Sequence, residues 1–154
     1  GEKVGDGQCI TLAIEALRAA GAHQPPIRGR EDFVWGREVP KLADALPGDI
    51  LQFRDAVFKG TEPLPGGGVL HTTSKYEHHT AVVAAVKKTR KGLVLTILHQ
   101  NAGGSGATPA ERQVVQEGTL RMADLRKGGT VRAFRPEAGD EGTRSRVEGD
   151  KRAG

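Results

Sequence analysis

Gly5-Asp6-Gly7-Gln8-Cys9-Ile10-Thr11-Leu12-Ala13-Ile14-Glu15-Ala16-Leu17 is the stretch whose reading decides the fold. From Cys9 onward, Cys9, Leu12, Ala13, Ala16, Leu17 and Ala20 recur at the spacing of one helix face. The helix is expected to stop near Gly21, a residue type that tolerates the left-handed conformation of many helix ends. Gly5-Asp6-Gly7 is a turn cluster that lets the backbone approach a ligand closely. Cys9, the only cysteine, therefore falls in the first helical turn, on the buried-facing side. A helix N-terminus offers unpaired N–H groups and a partial positive charge, and both favour a thiolate. The same N–H groups would stabilise an oxyanion if Cys9 attacked a carbonyl. The alternative for Cys9 alone is a small buried hydrophobe, as free cysteines often are.

Downstream, Ala22 to Arg30 with Pro25-Pro26 reads as a connector, and Phe33-Val34-Trp35-Gly36 as a short apolar piece. Residues 38–46 are expected to form a short helix, and Asp49 to Phe53 a strand after the Pro47-Gly48 turn. From Arg54 to Glu77 the chain reads as a long irregular loop, because Pro63, Pro65 and Gly66-Gly67-Gly68 interrupt it. Two strands, His79–Lys87 and Leu93–Asn101, follow as a hairpin through the Gly92-containing link. Ala102 to Ala110 is a second loop, Gln113–Gln116 a strand, and Thr119–Arg126 a short helix or irregular strand. Thr130–Phe134 reads as the closing strand. The two irregular stretches leave from the strand ends around His79 and Asn101, which makes them candidate cleft walls.

Alternation along strands decides which hairpin residues share a face. A symmetric loop places His79, His99 and Asn101 together, with His78 on the other side. That face is the more apolar one and is expected to look toward the helix bearing Cys9. Cys9 would then be a nucleophile and His79 its base, with His99 or Asn101 fixing the imidazole tautomer. Trp35 reads first as closing the core, and as the alternative it joins Gln8 as a candidate oxyanion or substrate contact.

Composition limits the alternatives. At 154 residues, 36% hydrophobic and 4% aromatic, with 22 glycines, the chain describes one loop-rich domain with a modest core. A single cysteine excludes an internal disulfide. No run approaches the ~18 apolar residues of a membrane span, and no signal peptide is evident. Met122 is the only methionine, so the chain reads as a cut-out domain or a processed product. The net charge of +4 permits an acidic polymer as partner without identifying one. The Lys87, Lys88, Arg90, Lys91 cluster lacks interleaved aromatics and reads as a solvated turn, not a nucleic-acid patch. Beyond Pro136 the sequence turns charged and glycine-rich. Residues 1–136 are therefore read as the domain and 137–154 as a disordered charged tail.

The order of these pieces resembles the papain-like cysteine peptidase/amidase superfamily that includes NlpC/P60 and CHAP domains. The resemblance rests on Gly7-Gln8-Cys9, Leu46-Pro47-Gly48-Asp49-Ile50, His79-Thr80-Ala81-Val82-Val83, Leu98-His99-Gln100-Asn101 and Phe134-Arg135-Pro136. It implies an α+β fold, with an N-terminal helix carrying the cysteine packed on a small antiparallel sheet or half-barrel. It implies Cys9 as nucleophile, His79 as base and position 99 as the third polar residue, while Asn101 matches a CHAP asparagine. The activity implied is cleavage of an amide or isopeptide bond in peptidoglycan-type peptides, without a cofactor, in a secreted or cell-envelope setting. Similar domains also occur in intracellular eukaryotic scaffold proteins, so an intracellular location stays open. The competing function is a catalytically diverged binding module on the same fold. A metal site built from Cys9, His79 and His99, or from His71, His78 and His79, lacks tight ligand spacing and is not expected. Oligomeric state is not legible in the sequence.

Overall fold

A computed structural model describes residues 1–25, 33–102 and 108–139 of the chain. Its frame is a six-stranded antiparallel sheet with one long helix. The elements are α1 (Cys9–Ala19), β1 (Arg37–Val39), β2 (Ile50–Pro63), β3 (Val69–Thr89), β4 (Gly92–His99), α2 (Pro109–Arg112), β5 (Gln116–Arg121) and β6 (Thr130–Arg135). The strand order is β1-β6-β2-β3-β4-β5. Short 3-10 turns at Leu42–Asp44 and Met122–Asp124 complete it.

The helix ends where its sequence says it must: Ala20 is the C-cap and Gly21 takes φ 67°. Its buried stripe, Ala13 and Leu17, packs with Trp35, Ile50 and Phe134, flanked by Ile10, Ile14 and Val82. Burying a leucine such as Leu17 contributes about 1.5–3 kcal/mol relative to leaving it in water. The opposite side of the sheet carries the larger core, with Leu51, Phe53, Ala81, Val83, Leu95, Ile97, Leu120 and Ala133. What covers that second side is the sheet itself. Phe58 of β2 bridges Leu125, and the Arg126 N–H donates to Val57 O at 2.8 Å. The chain after β5 thus returns to β2 and curls the sheet toward a half-barrel.

Several expectations need correcting. Arg54–Glu77 is not a loop but the greater part of β2 and β3, paired from Ile50↔Val82 out to Pro63↔Val69. The prolines and Gly66-Gly67-Gly68 serve only the hairpin turn, where all three glycines have positive φ. Residues 38–46 hold a strand end and a 3-10 turn in place of a helix. The strands containing His79 and His99 form a hairpin, with β3 starting ten residues earlier than expected. Glu117–Arg121 belongs to β5, and a 3-10 turn follows. Glu137–Gly139 pairs with Gly21–His23, through His23 N–H to Glu137 O (2.9 Å) and the Ala22↔Ala138 bridge. The expected tail from 140 on, most of the Ala102–Ala110 loop and part of the 22–30 connector lie outside the described residues.

Gly36 shows how tightly β1 is seated. It has φ 143°, and a Cβ added there would stand 2.2 Å from the Arg135 carbonyl oxygen. Gly36→Ala is expected to destabilise the fold by more than ~1 kcal/mol, because neither the φ nor the space suits an alanine. A chemical-denaturation midpoint equal to wild type would show that β1 can move aside.

Candidate functional site

The helix start is built by residues before it. Asp6 Oδ1 accepts the Gln8 N–H (3.0 Å) and the Thr11 hydroxyl (2.6 Å), doing the capping that the Gln8 side chain does not. The Thr11 hydroxyl and then the Gln8 N–H hold the Asp6 carboxyl below its ordinary range. Gln100, fully buried at the end of β4, fixes the same segment from below. Its Nε2 donates to Val4 O and Gln8 O, both at 3.1 Å, and its Oε1 accepts the Val4 N–H. Cys9 is thereby presented to β3 at Thr80.

Where the thiol meets β3 follows from backbone alternation. Val83 N–H donates to Asp49 O on the β2 side of the strand (2.8 Å), so Thr80 N–H, three residues earlier, leaves on the β4 side. The β3–β4 ladder reaches only to Val82↔Leu98. Thr80 N–H thus meets the Cys9 sulfur instead of a carbonyl of β4. Burial pushes the Cys9 thiol above its ordinary value, and the Asp6 carboxylate adds to this. The N–H groups of Thr80, Ile10 and Cys9 itself pull the other way without overcoming burial. Burial of this half-buried thiol thus works against the thiolate expected from the helix terminus.

His79 and His99 come together. Nε2 of His79 lies 3.0 Å from Nδ1 of His99, one donating and the other accepting according to tautomer. Both are nearly excluded from solvent, at 6% and 5% exposure. Burial, helped by the proximity of His99 and His78, lowers His79 to about 3; burial alone lowers His99 to about 4. At neutral pH both rings are uncharged. His79 stacks on Tyr76 (centroids 5.0 Å apart) and packs against Phe53 (5.7 Å). It therefore belongs to the larger core, opposite α1. The two histidines share a face through the register shift between Val83 and Ala85 and not through the symmetric loop expected, and that face does not look toward the helix. The physical reason is the second cover: once Arg54–Glu77 forms strands that curl, both sheet faces are apolar, and α1 takes the side of Ile50 and Val82.

The remaining candidates separate. Asn101, with φ 53°, donates from Nδ2 to Gln8 Oε1 at 2.8 Å and so braces the residue before Cys9. His79 meets the ring of His99 and not the Asn101 amide. Trp35 is 1% exposed and its indole N–H donates to Gln52 Oε1 at 2.9 Å, which makes it a core residue and not a substrate contact. Gln52 is the residue the sequence reading missed. Fully buried, it also accepts the Thr80 hydroxyl (3.3 Å) and donates to the His79 carbonyl (3.0 Å). It holds the backbone on which both the thiol contact and the imidazole depend. Among the described residues, no buried side-chain polar atom lacks a partner and no group of three metal-ligating residues converges.

A groove of about 840 Å3 opens beside the histidines, lined along one wall by Thr73–His79 and along the other by His99, Asn101, Ala102 and Gln116. A helical cysteine set against an antiparallel sheet, with paired imidazoles on neighbouring strands, is a papain-like arrangement. The family model described as the AIM3/BBC1 cysteine proteinase-fold domain matches residues 1–142. The chain belongs to this family. Neither a curated protein nor a solved structure matches it. Membership of the AIM3/BBC1 family establishes the cysteine-proteinase fold, a mostly antiparallel sheet with a short N-terminal helix. Among the described residues, no helix is long and apolar enough to cross a membrane.

Proposed function

We propose that this domain is a polypeptide-binding module on a cysteine-proteinase fold, its ligand lying in the groove beside His79 and His99. The observation that carries the reading is the placement of His79. Its Nε2 is engaged by His99 and its ring is stacked in the aromatic interior, and among the described residues no hydrogen bond joins it to Cys9. A thiolate–imidazolium pair requires an imidazole more basic than the thiol. Here burial has driven the two apart in the opposite sense, which favours the uncharged forms. A neutral, partly apolar, pre-formed groove suits recognition of a ligand.

A second reading is hydrolysis of an amide or isopeptide bond, in peptidoglycan-type peptides if the NlpC/P60 or CHAP resemblance extends to chemistry. The N–H groups of Thr80, Ile10 and Cys9 around the sulfur favour it, since such donors also stabilise an oxyanion. With Nε2 of His79 on His99, only Nδ1 remains to take the thiol proton. The rate of iodoacetamide labelling of Cys9 against pH separates the two readings. The binding reading expects an inflection at or above the ordinary thiol value, about 8.5, with no turnover of peptides. Rapid labelling at pH 6 together with cleavage of a peptidoglycan-type peptide would establish the hydrolase instead.

A further inference from the structure

We infer that the ligand is an extended segment of another polypeptide, which adds to β3 as an extra strand along Thr73–His79. This inference rests on the binding reading above and specifies its mode. β3 is 21 residues long and is covered unequally on its two edges. On one edge β2 pairs with it from Val69 to Val82. On the other, β4 pairs with it only from Val82 to Thr89. Among the described residues, Thr73–Glu77 therefore have no ladder partner on their second edge. Backbone N–H and C=O groups left this way form a template for another strand.

The groove runs along that same edge, with Thr73–His79 as one wall, and its volume is within the ~300–1,000 Å3 range of ligand sites. The usual devices that blunt an exposed edge are weak here. There is no proline between Val69 and Thr89, and the charges of Lys75 and Glu77 oppose each other. That mixed pair selects no ligand of single sign, so recognition falls to the main chain, as in other strand-addition sites. The floor of the groove adds one side-chain preference. It is made of Tyr76, His79 and His99, rings 5.0–6.1 Å apart and, for the imidazoles, uncharged at neutral pH. A charged side chain set on this floor would lose water without gaining a counter-ion. The segment that fits is thus β-prone and carries an apolar or hydroxyl-bearing residue over the histidine pair. Such a strand would end near Thr80, whose N–H is already taken by Cys9.

Main-chain recognition tolerates sequence, so a degenerate mixture can act as a single ligand. The test titrates the 15N-labelled 154-residue chain with random heptapeptides lacking proline and cysteine, then with the same mixture N-methylated at alternate residues. The expected result is saturable shifts of the Thr73–His79 and Asn101 amides, weakened at least about tenfold by methylation because the ladder hydrogen bonds are lost. Equal binding of both mixtures, or shifts confined to other surfaces, would overturn strand addition while leaving the binding reading intact. Edge shifts that track protein concentration without peptide would mean that a second copy occupies the edge, which overturns the inference. No shift with either mixture at millimolar concentration would overturn the binding reading itself.

Discussion

Gln52→Leu is expected to lower the unfolding free energy by about 3–4 kcal/mol, among the larger single-site effects a domain tolerates. The side chain is fully buried and makes four contacts: it accepts from the Trp35 indole (2.9 Å) and the Thr80 hydroxyl (3.3 Å), and donates to the carbonyls of His79 (3.0 Å) and Phe53 (3.4 Å). Leucine matches its volume closely, so little of the loss comes from a cavity. The cost lies in the orphaned partners, chiefly an indole N–H with no water in reach, at about 1–3 kcal/mol for each unsatisfied group. The Thr80 hydroxyl can rotate to relieve itself, which caps the total. Trp35→Phe removes the indole N–H and should recover part of the loss in the double variant, a coupling of about 1–2 kcal/mol in a double-mutant cycle. Urea denaturation of the four proteins measures it. A Gln52→Leu midpoint close to wild type, or simple additivity, would mean that the polar cluster is not what holds β3.

The residues that were legible in the sequence are those whose neighbours repeat. Helix α1 shows a 3.6-residue stripe, and the β3–β4 hairpin shows strand alternation around a Thr89–Gly92 turn, closed by the Thr89 hydroxyl on the Gly92 carbonyl at 2.8 Å. Alternation counted from that turn alone would set His79 and His99 on opposite faces, because Thr89 pairs with Gly92; the register shift between Val83 and Ala85 restores the parity that brings them together. Alternation also failed along Arg54–Glu77, for a local reason. Asp55 takes φ 50°, and its pairing with Glu77 drops out of an otherwise continuous ladder. Buried positions therefore change parity, from Leu51 and Phe53 to Ala56 and Phe58, and no fixed period survives. The sheet's curl rests on that break, which is also why the face chosen by α1 could not be read.

Gln52 and Gln100 carried a signal that periodicity overlooks. Gln52 interrupts a run that is apolar on both parities, Ile50-Leu51-Gln52-Phe53, and Gln100 directly follows another, Leu93–Leu98 with His99 at its end. A strand apolar on both parities is covered on both faces, so a glutamine within it is buried and must find partners. The surroundings of the thiol were illegible for a related reason. A helix terminus favours a thiolate while burial opposes it, and the packing of Cys9 against Thr80 is a tertiary fact.

Acidification from pH 7 to 5 is expected to cost the fold about 4 kcal/mol, most of it through His79 and His99. Their folded values of about 3 and about 4 lie below the ordinary 6.5 that each recovers on unfolding. The unfolded chain therefore binds more protons than the folded one below pH 6.5, and stability rises with pH across that window. The contribution is complete above pH 6.5 and is lost as pH falls toward the folded values. At pH 5 each buried imidazole stays neutral while its unfolded counterpart is nearly all charged, a difference of about 2 kcal/mol per histidine. The His79→Phe/His99→Leu double variant suits the aromatic and aliphatic surroundings and should show a much flatter profile between pH 7 and 5. Urea midpoints for both proteins at half-unit steps provide the comparison. Parallel profiles would show that the pair takes up protons without unfolding, and with it would go the neutral floor assigned to the groove. If the profiles diverge as expected, the burial that keeps the imidazoles uncharged also gives the groove its neutral floor.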